Sequence, residues 1–432
     1  MITASHLPSD RNGFKFFAAF APSGFTRAQV LGIGEIAETY ALECLAMTKL
    51  HGFSSSKVIS ALHVDWMPLY ADTLKNAVLI KTKGVVQDDA RPLAGLKLIL
   101  NPGNGAGGFF QTVLEDLGAD VSASIHLEPD GSFPNGIPNP EDVKMLELTL
   151  SICEREQADL GIMLDTDADR CGFVTPRTIN DETGVRNDYE ALNRNRLIAL
   201  LGFIFAQEKP GCAVVTDSVT SEGLGDFLKN KLGLQHIRYI KGYANVIGKA
   251  RELTDSGEVD AELAIETSGH CAMRENGYLD DGTYTAVKIV SALAQQRAVD
   301  LSNGQSSTLL DVISDMSELD EVCELRMSTN DASLDTMQEI FALCTAEIEQ
   351  FSLINNVWKV DQENLEGVRL RLGSEGQFFM LRKSLHDPIV SLQIEAQSKE
   401  EARTLIVKPL AKLLEANKNI CRKLNIDVLN GY

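Results

Sequence analysis

Short apolar runs and longer amphipathic stretches alternate along most of this chain. Runs at 96–100, 159–164, 213–216, 236–240 and 261–265 are four to six residues long, mostly apolar, and read as buried strands. Segments 28–50, 54–62, 67–81, 109–117, 141–156, 188–207 and 221–232 space their apolar residues along one face and read as helices. A further strand is expected to end at Glu128. Strand followed by helix, repeated, implies mixed or parallel sheets covered on both faces. After a linking stretch at 305–320 the pattern changes: strands at 368–372, 378–382 and 389–395 precede a helix at 399–418. The expectation is a multi-domain α/β protein with a smaller α+β domain at its C-terminus.

Length supports several domains, since 432 residues exceed what one hydrophobic core organises. Composition is ordinary for globular protein, at 44% hydrophobic and 23% charged. The formal charge of −21 argues against a nucleic-acid or anionic-membrane surface, so neither is expected as a partner. An anionic substrate would have to be held by local cations and backbone amides. Eight scattered cysteines without a C-x-x-C pair suit a reducing compartment. No apolar run approaches a membrane span, and no signal peptide, internal repeat or low-complexity tract is visible.

The densest chemistry follows the run at 160–164. Asp165-Thr-Asp167-Ala-Asp169-Arg170 sets three carboxylates at alternate positions in a loop, with an arginine beside them. Like charges that close repel unless a cation neutralises them. Hard oxygen ligands on a turn suit Mg²⁺, which keeps positions open for water or a phosphate oxygen. An EF-hand is excluded, because neither the required glycine nor the closing glutamate follows. A solvated acidic turn is the plainer alternative.

Three other stretches carry functional residue types. Near the start, Thr3, Ser5 and His6 are followed by Asn12-Gly13-Phe-Lys15: a hydroxyl to carry a group, an imidazole, and a cation for a phosphate, or simply a polar loop. Gly103-Asn-Gly105-Ala-Gly107-Gly108 opens a helix after a strand and contains a G-x-G-x-x-G, which raises a nucleotide-dependent oxidoreductase as a rival. At the end of the 261–265 run stands Glu266-Thr-Ser268-Gly269-His270, suited to paired contacts with sugar hydroxyls, or a strand-to-loop corner.

Taken together, these loops resemble the α-D-phosphohexomutases, the phosphoglucomutases and phosphomannomutases. Thr3-Ala-Ser5-His6-Leu7-Pro8 with Asn12-Gly13-Phe-Lys15 is similar to that family's phosphoserine loop, T-A-S-H-N-P and N-G-x-K. Residues 165–170 match its metal loop, D-G-D-[GA]-D-R. Glu266 to His270 match its sugar-recognition loop, G-E-x-S-G-H, with Ile265 in place of the leading glycine, and Asp280-Asp281-Gly282 follows as a D-G pair does in the family. Arg382-Lys-Ser384-Leu385-His386-Asp387-Pro388 corresponds to its phosphate loop, R-x-S-G-T-E-P, with the central three residues changed. The four loops come in family order.

The resemblance implies three mixed-sheet α/β domains, the first incomplete, and a smaller α+β domain around a central cleft. The expected domains are 1–65, 66–184, 185–304 and 305–432. It also implies that the N-terminal part of the first domain is missing, so that this chain would be less stable and less active than a longer form. In the implied mechanism Ser5 carries a phosphoryl group, with Mg²⁺ held by Asp165, Asp167 and Asp169 against the Ser5 oxygens. Lys15 and His270 move protons, and Arg170 supports the transferring phosphate. His6, Glu266 and Ser268 bind substrate, while Arg382, Ser384 and His386 hold the phosphate that is not transferred. Hexose 1-phosphate and hexose 6-phosphate, of glucose or mannose, would interconvert through a hexose 1,6-bisphosphate. The glycine turn at 103–108 would pack rather than bind a cofactor. A monomer or homodimer in the cytoplasm is implied, or in an organelle such as a plastid. The altered Leu385-His386-Asp387 leaves a second class open, a catalytically impaired sugar-phosphate-binding homologue.

Overall fold

The computed structural model describes residues 3, 5, 10–18, 24–25, 27–51, 64–181, 184–373, 376–384 and 387–432. His6, Leu385, His386 and the expected helix at 54–62 lie outside the described residues. The chain forms two compact units: Met1–Asn193 with Ser268–Asp311, and Arg194–Thr267 with Val312–Tyr432. Both are mixed α/β. Among the described residues no helix is long and apolar enough to cross a membrane.

In the first unit, helices α1 (Arg27–His51) and α2 (Met67–Thr82) precede a mixed sheet of four strands. Strands β1 (Leu98–Asn101) and β2 (Leu160–Leu164) run parallel, and β3 (Cys171–Asp181) and β4 (Gly184–Leu192) complete an antiparallel hairpin on the β2 side. Every residue of β1 and β2 is buried, which is why both read as mostly apolar runs. Between them come α3 (Phe110–Asp116) and α4 (Val143–Glu156). Asp142 caps α4 by accepting from the amides of Lys144 and Met145, both at 3.0 Å. Its apolar face, Met145, Ile152 and Cys153, packs on Ile99, Met163, Val174 and Tyr189.

The second unit opens with α5 (Arg194–Glu208) and continues through β5 (Ala213–Asp217), α6 (Glu222–Asp226), β6 (Gln235–Tyr239), α7 (Tyr243–Asp255) and β7 (Ala261–Ile265). Strand β5 lies parallel between β6 and β7. The chain re-enters the first unit for β8 (Cys271–Met273) and α8 (Gly282–Asn303). Back in the second unit, β9 (Glu321–Ser328), α9 (Leu334–Ile354), β10 (Trp358–Val360), β11 (Val368–Leu372), β12 (Gln377–Lys383) and β13 (Ile389–Ala396) build an antiparallel sheet in the order β10-β11-β12-β13-β9.

Four expectations are corrected. Residues 188–192 are not the first turns of a helix but the end of β4, because pairing with β3 captures them. Arg194, with φ of 50°, turns the chain at the first residue of α5. The strand expected to end at Glu128 forms no ladder. Ser124 Oγ accepts the Leu100 amide at 2.9 Å where a strand carbonyl would stand, and His126 turns left-handed at φ 53°. The helix expected over 221–232 shortens to α6 and continues as a wider turn, Phe227–Lys231. The helix expected over 399–418 likewise widens at Ala402–Val407 before Lys408–Ala416. Pro409 has no amide to offer the Leu405 carbonyl, and Trp358 Nε1 donates to it instead at 2.8 Å.

Candidate active site

The first unit assembles its site from three loops. Strand β2 delivers Asp165, which is fully buried and held by Arg170: the arginine amide donates to Oδ1 at 3.1 Å and Nε to Oδ2 at 2.9 Å. Ala168, at φ 61°, lets the loop close, with its amide donating to the Asp165 carbonyl. The glycine turn after β1 buttresses this loop. Ala106 donates its amide to the Thr166 carbonyl at 2.8 Å, and a β-carbon on Gly105 would meet the Asp165 and Thr166 carbonyl oxygens at 2.9 and 2.8 Å. That turn therefore approaches its own backbone, as packing requires, and this side offers no cradle for a pyrophosphate.

Lys15 reaches the same loop from the N-terminal segment. Its ammonium pairs with Asp167 Oδ2 at 2.8 Å and with Asp169 Oδ2. Burial opposes the lysine charge, but Asp169 and Asp167 outweigh it and hold the ammonium well above the usual lysine range. Burial pushes the Asp165 carboxyl upward, reinforced by Asp169 and only partly offset by Arg170. For Asp169 burial also opposes the charge, yet His270 and Lys15 keep its carboxyl below the usual range. Ser5 is half-buried in a turn at φ 52°, its amide donating to Thr3 Oγ1 at 2.8 Å.

His270 is brought against the metal loop by a short antiparallel bridge between Arg170 and His270. Its Nδ1 lies 2.7 Å from Asp280 Oδ2 and 3.7 Å from Asp169 Oδ1. Asp280 also accepts the Cys271 amide at 3.1 Å. The next residue, Asp281, caps α8 through the Tyr284 amide at 2.9 Å and accepts from the Tyr70 hydroxyl at 2.7 Å, tying α2 to the start of α8.

A test of whether these residues suit a cation comes from their unmet polar atoms. Thr166 Oγ1, Asp167 Oδ1, Asp169 Oδ1 and Arg170 Nη2 are all buried without a hydrogen-bond partner among the described residues. Of these, Thr166 Oγ1 and Asp167 Oδ1 can serve a cation at the three aspartates and Arg170 Nη2 an anion, since buried polar groups are otherwise almost always satisfied. Asp165, Asp167 and Asp169 each offer an oxygen, all within 4.8 Å of one another. That oxygen-only donor set fits Mg²⁺.

In the second unit, Glu266 Oε1 accepts the Gly242 amide at 2.5 Å, and Thr267 donates its amide and hydroxyl to the buried Asp217 at 3.1 and 2.7 Å. Lys241 Nζ is 3.8 Å from the same Asp217 oxygen. Glu366 Oε2 accepts from the Ser218 hydroxyl at 2.5 Å and the Lys241 amide at 2.9 Å, linking the loops after β5 and β6. Arg382 pairs with Glu324 Oε1 at 3.3 Å, and Ser384 Oγ accepts the Asp387 amide at 3.3 Å.

Lys15, Asp165, Asp167, Asp169, Arg170 and His270 are thus mutual neighbours in the first unit, which also holds Ser5 and Ser268; Glu266, Arg382 and Ser384 belong to the second. Sequence reasoning gave Asp280 no role and passed over Asp217, Lys241 and Glu366. Asp280 was visible as half of an Asp-Asp-Gly, and Asp217 as a carboxylate ending a strand, as Asp165 is. Glu366 carried no signal, because its partners stand 148 and 125 residues away.

The family descriptions "Phosphoglucomutase/phosphomannomutase, alpha/beta/alpha domain II" and "domain III" match residues 68–178 and 193–309. A phosphomannomutase/phosphoglucomutase of Pseudomonas syringae pv. tomato is 27% identical over 300 residues, 69% of this chain and 55% of that protein. This chain thus spans little more than half the length of that relative. A phosphoglucomutase of Neisseria gonorrhoeae is 25% identical over 97% of this chain and 78% of its own. In fold, the chain is similar to a phosphoglucomutase/phosphomannomutase family protein from Burkholderia thailandensis, with a TM-score of 0.68, 21% identity, and coverage of 96% of this chain and 75% of that one. It is also similar to the Aspergillus fumigatus N-acetylphosphoglucosamine mutase solved with GlcNAc-6P and magnesium, with a TM-score of 0.58, 13% identity, and coverage of 96% and 88%.

Proposed function

The chain belongs to the α-D-phosphohexomutase superfamily, and from that premise we propose that it interconverts hexose 1-phosphate and hexose 6-phosphate, of glucose or mannose, through a phosphoserine at Ser5 and a hexose 1,6-bisphosphate. The observation that carries this reading is the loop 165–170, where three aspartates, an arginine and a lysine converge around orphaned oxygens. Such a constellation serves phosphoryl transfer, which asks a protein mainly to position groups and neutralise charge. Asp165, Asp167 and Asp169 would hold magnesium, which would supply positive charge to the transferring phosphoryl group.

The chain's own groups do the rest. Ser5 Oγ accepts and returns the phosphoryl group. Lys15, whose ammonium pairs with Asp167 and Asp169, is one group for proton transfer to and from a sugar hydroxyl. His270, oriented by Asp280, exchanges a proton with a sugar hydroxyl. Arg170 is locked to Asp165 through Nε, which leaves its unpartnered Nη2 for a phosphoryl oxygen. Glu266 and Ser268 bind sugar hydroxyls, and His6, Arg382, Ser384 and His386 the remaining substrate groups. Small hexose phosphates are the partners under this reading.

Intact mass after incubation with glucose 1,6-bisphosphate and Mg²⁺ tests it. One phosphoryl group is gained, and the gain is absent from Ser5→Ala. No gain in a folded sample favours the second reading, a sugar-phosphate-binding homologue with little turnover. That alternative is supported by the phosphate loop, where Arg382 is paired with Glu324 and the Ser384 hydroxyl is engaged by Asp387.

A further inference from the structure

We infer that the first unit carries a second divalent-cation site, suited to a transition metal such as Zn²⁺ and built from Asp169, His270 and Asp280. The ligand atoms of these three residues lie within 4.8 Å of one another, a cluster separate from the all-aspartate one and sharing only Asp169 with it. Asp169 is common to the two clusters. Oδ2 faces Lys15, while Oδ1 faces His270 Nδ1 at 3.7 Å. Oδ1 is buried and accepts no hydrogen bond among the described residues, on a residue only 6% exposed. A buried anionic oxygen with no donor is costly, and a cation at this point removes the cost.

Geometry and charge agree. Zinc bonds of about 2.0–2.2 Å in a tetrahedron put neighbouring ligand atoms roughly 3.4 Å apart. The 3.7 Å separation to Asp169 already fits, and the 2.7 Å contact between Nδ1 and Asp280 Oδ2 is a hydrogen bond that widens when a metal replaces its proton. That proton leaves to solvent and no oxidation state changes. Asp280 keeps its other oxygen on the Cys271 amide, which orients the ligand as outer contacts do in metal sites. The carboxyl groups of Asp165, Asp167, Asp169 and Asp280 outnumber the two cationic side chains beside them, Lys15 and Arg170, so a dication is welcome. The imidazole decides which dication: nitrogen favours zinc or cobalt over magnesium, which prefers the oxygens of the other cluster. The binding itself is independent of the mutase reading. Under that reading one consequence follows, that the occupied site withholds His270 from the sugar and inhibits turnover.

The test uses the full chain, stripped with a chelator and titrated with Co²⁺ alone in excess Mg²⁺. One Co²⁺ binds, with the visible absorption of a four- or five-coordinate ion and a paramagnetically shifted imidazole resonance, and Zn²⁺ displaces it. His270→Gln abolishes this signal, Asp280→Asn weakens binding by roughly 10–100-fold or more, and Asp167→Asn retains it. A Co²⁺ spectrum that lacks the imidazole resonance, survives His270→Gln, or vanishes in Mg²⁺ overturns the proposal. The imidazole resonance is measured with the unmodified protein, so it decides the matter even where a variant does not fold.

Discussion

Gly282 stands so close to the main chain of Arg170 that a β-carbon on it would lie 2.7 Å from the arginine carbonyl carbon. Its amide donates to the Ala168 carbonyl at 3.0 Å, so the first turn of α8 rests directly on the loop of three aspartates. Gly282→Ala must push the two apart. It is expected to destabilise the first unit by about 1–3 kcal/mol, the usual range for overpacking, and to weaken Mg²⁺ binding with it. Chemical denaturation with and without Mg²⁺ checks both effects; an unchanged midpoint would show that the contact relaxes freely.

Lys15 is the resident cation of the aspartate cluster. Lys15→Gln keeps most of the length and removes the charge. Without metal this variant loses on the order of 1–3 kcal/mol, the penalty of buried charge left uncompensated. Added Mg²⁺ restores more stability to the variant than to the parent, because the cation then substitutes for the ammonium. Melting temperature against Mg²⁺ concentration measures the difference, and equal gains in the two proteins would contradict the assignment.

Glu395 gives the second unit a pH dependence of known sign. Burial raises its carboxyl to about 7, with Arg369 and Arg194 only partly opposing. Because the folded value exceeds the unfolded one, the protonated form favours the fold. Stability is therefore full below the ordinary value of 4.5 and falls as pH rises toward about 7, remaining lower above that. Glu395→Gln stays neutral throughout. It is expected to exceed the parent by about 1–3 kcal/mol at pH 8 and to match it near pH 4.5. Urea midpoints at the two pH values decide, and parallel curves would refute the shift.

Arg369, 1% exposed, has its guanidinium 3.4 Å from the Phe378 ring centre. It donates to the carbonyls of Ser218 and Thr220 at 2.9 and 3.1 Å and to Glu222 at 2.8 Å. Arg369→Met leaves those acceptors buried and is expected to cost about 3–5 kcal/mol. Arg369→Lys recovers little, since an ammonium cannot reproduce the planar fork or its stacking. Denaturation of both variants tests this, and a lysine variant as stable as the parent would show that charge alone suffices.

Much of the architecture was legible before any coordinate. Strands β2, β5 and β7 announced themselves because burial on both faces favours mostly apolar runs, and the polar residues that follow them mark where such strands emerge. The hairpin of β3 and β4 was not legible. Its pairing depends on residues far from helix-like spacing, and tertiary pairing overrode the local pattern at 188–192.

The same division runs through the candidate site. Local sequence determined the donor types: three alternating aspartates, an arginine, a lysine, a serine, and a glutamate-to-histidine corner. Those are properties of spacing within a few residues, and spacing is what a chain carries by itself. Only the tertiary structure decided which donors meet. It set Lys15 on Asp167 across 152 residues, turned one oxygen of Asp169 toward His270, and gave that histidine Asp280 as a partner. Such contacts depend on loops closing over long chain separations, and the burial that makes their charges matter exists only once the chain has folded.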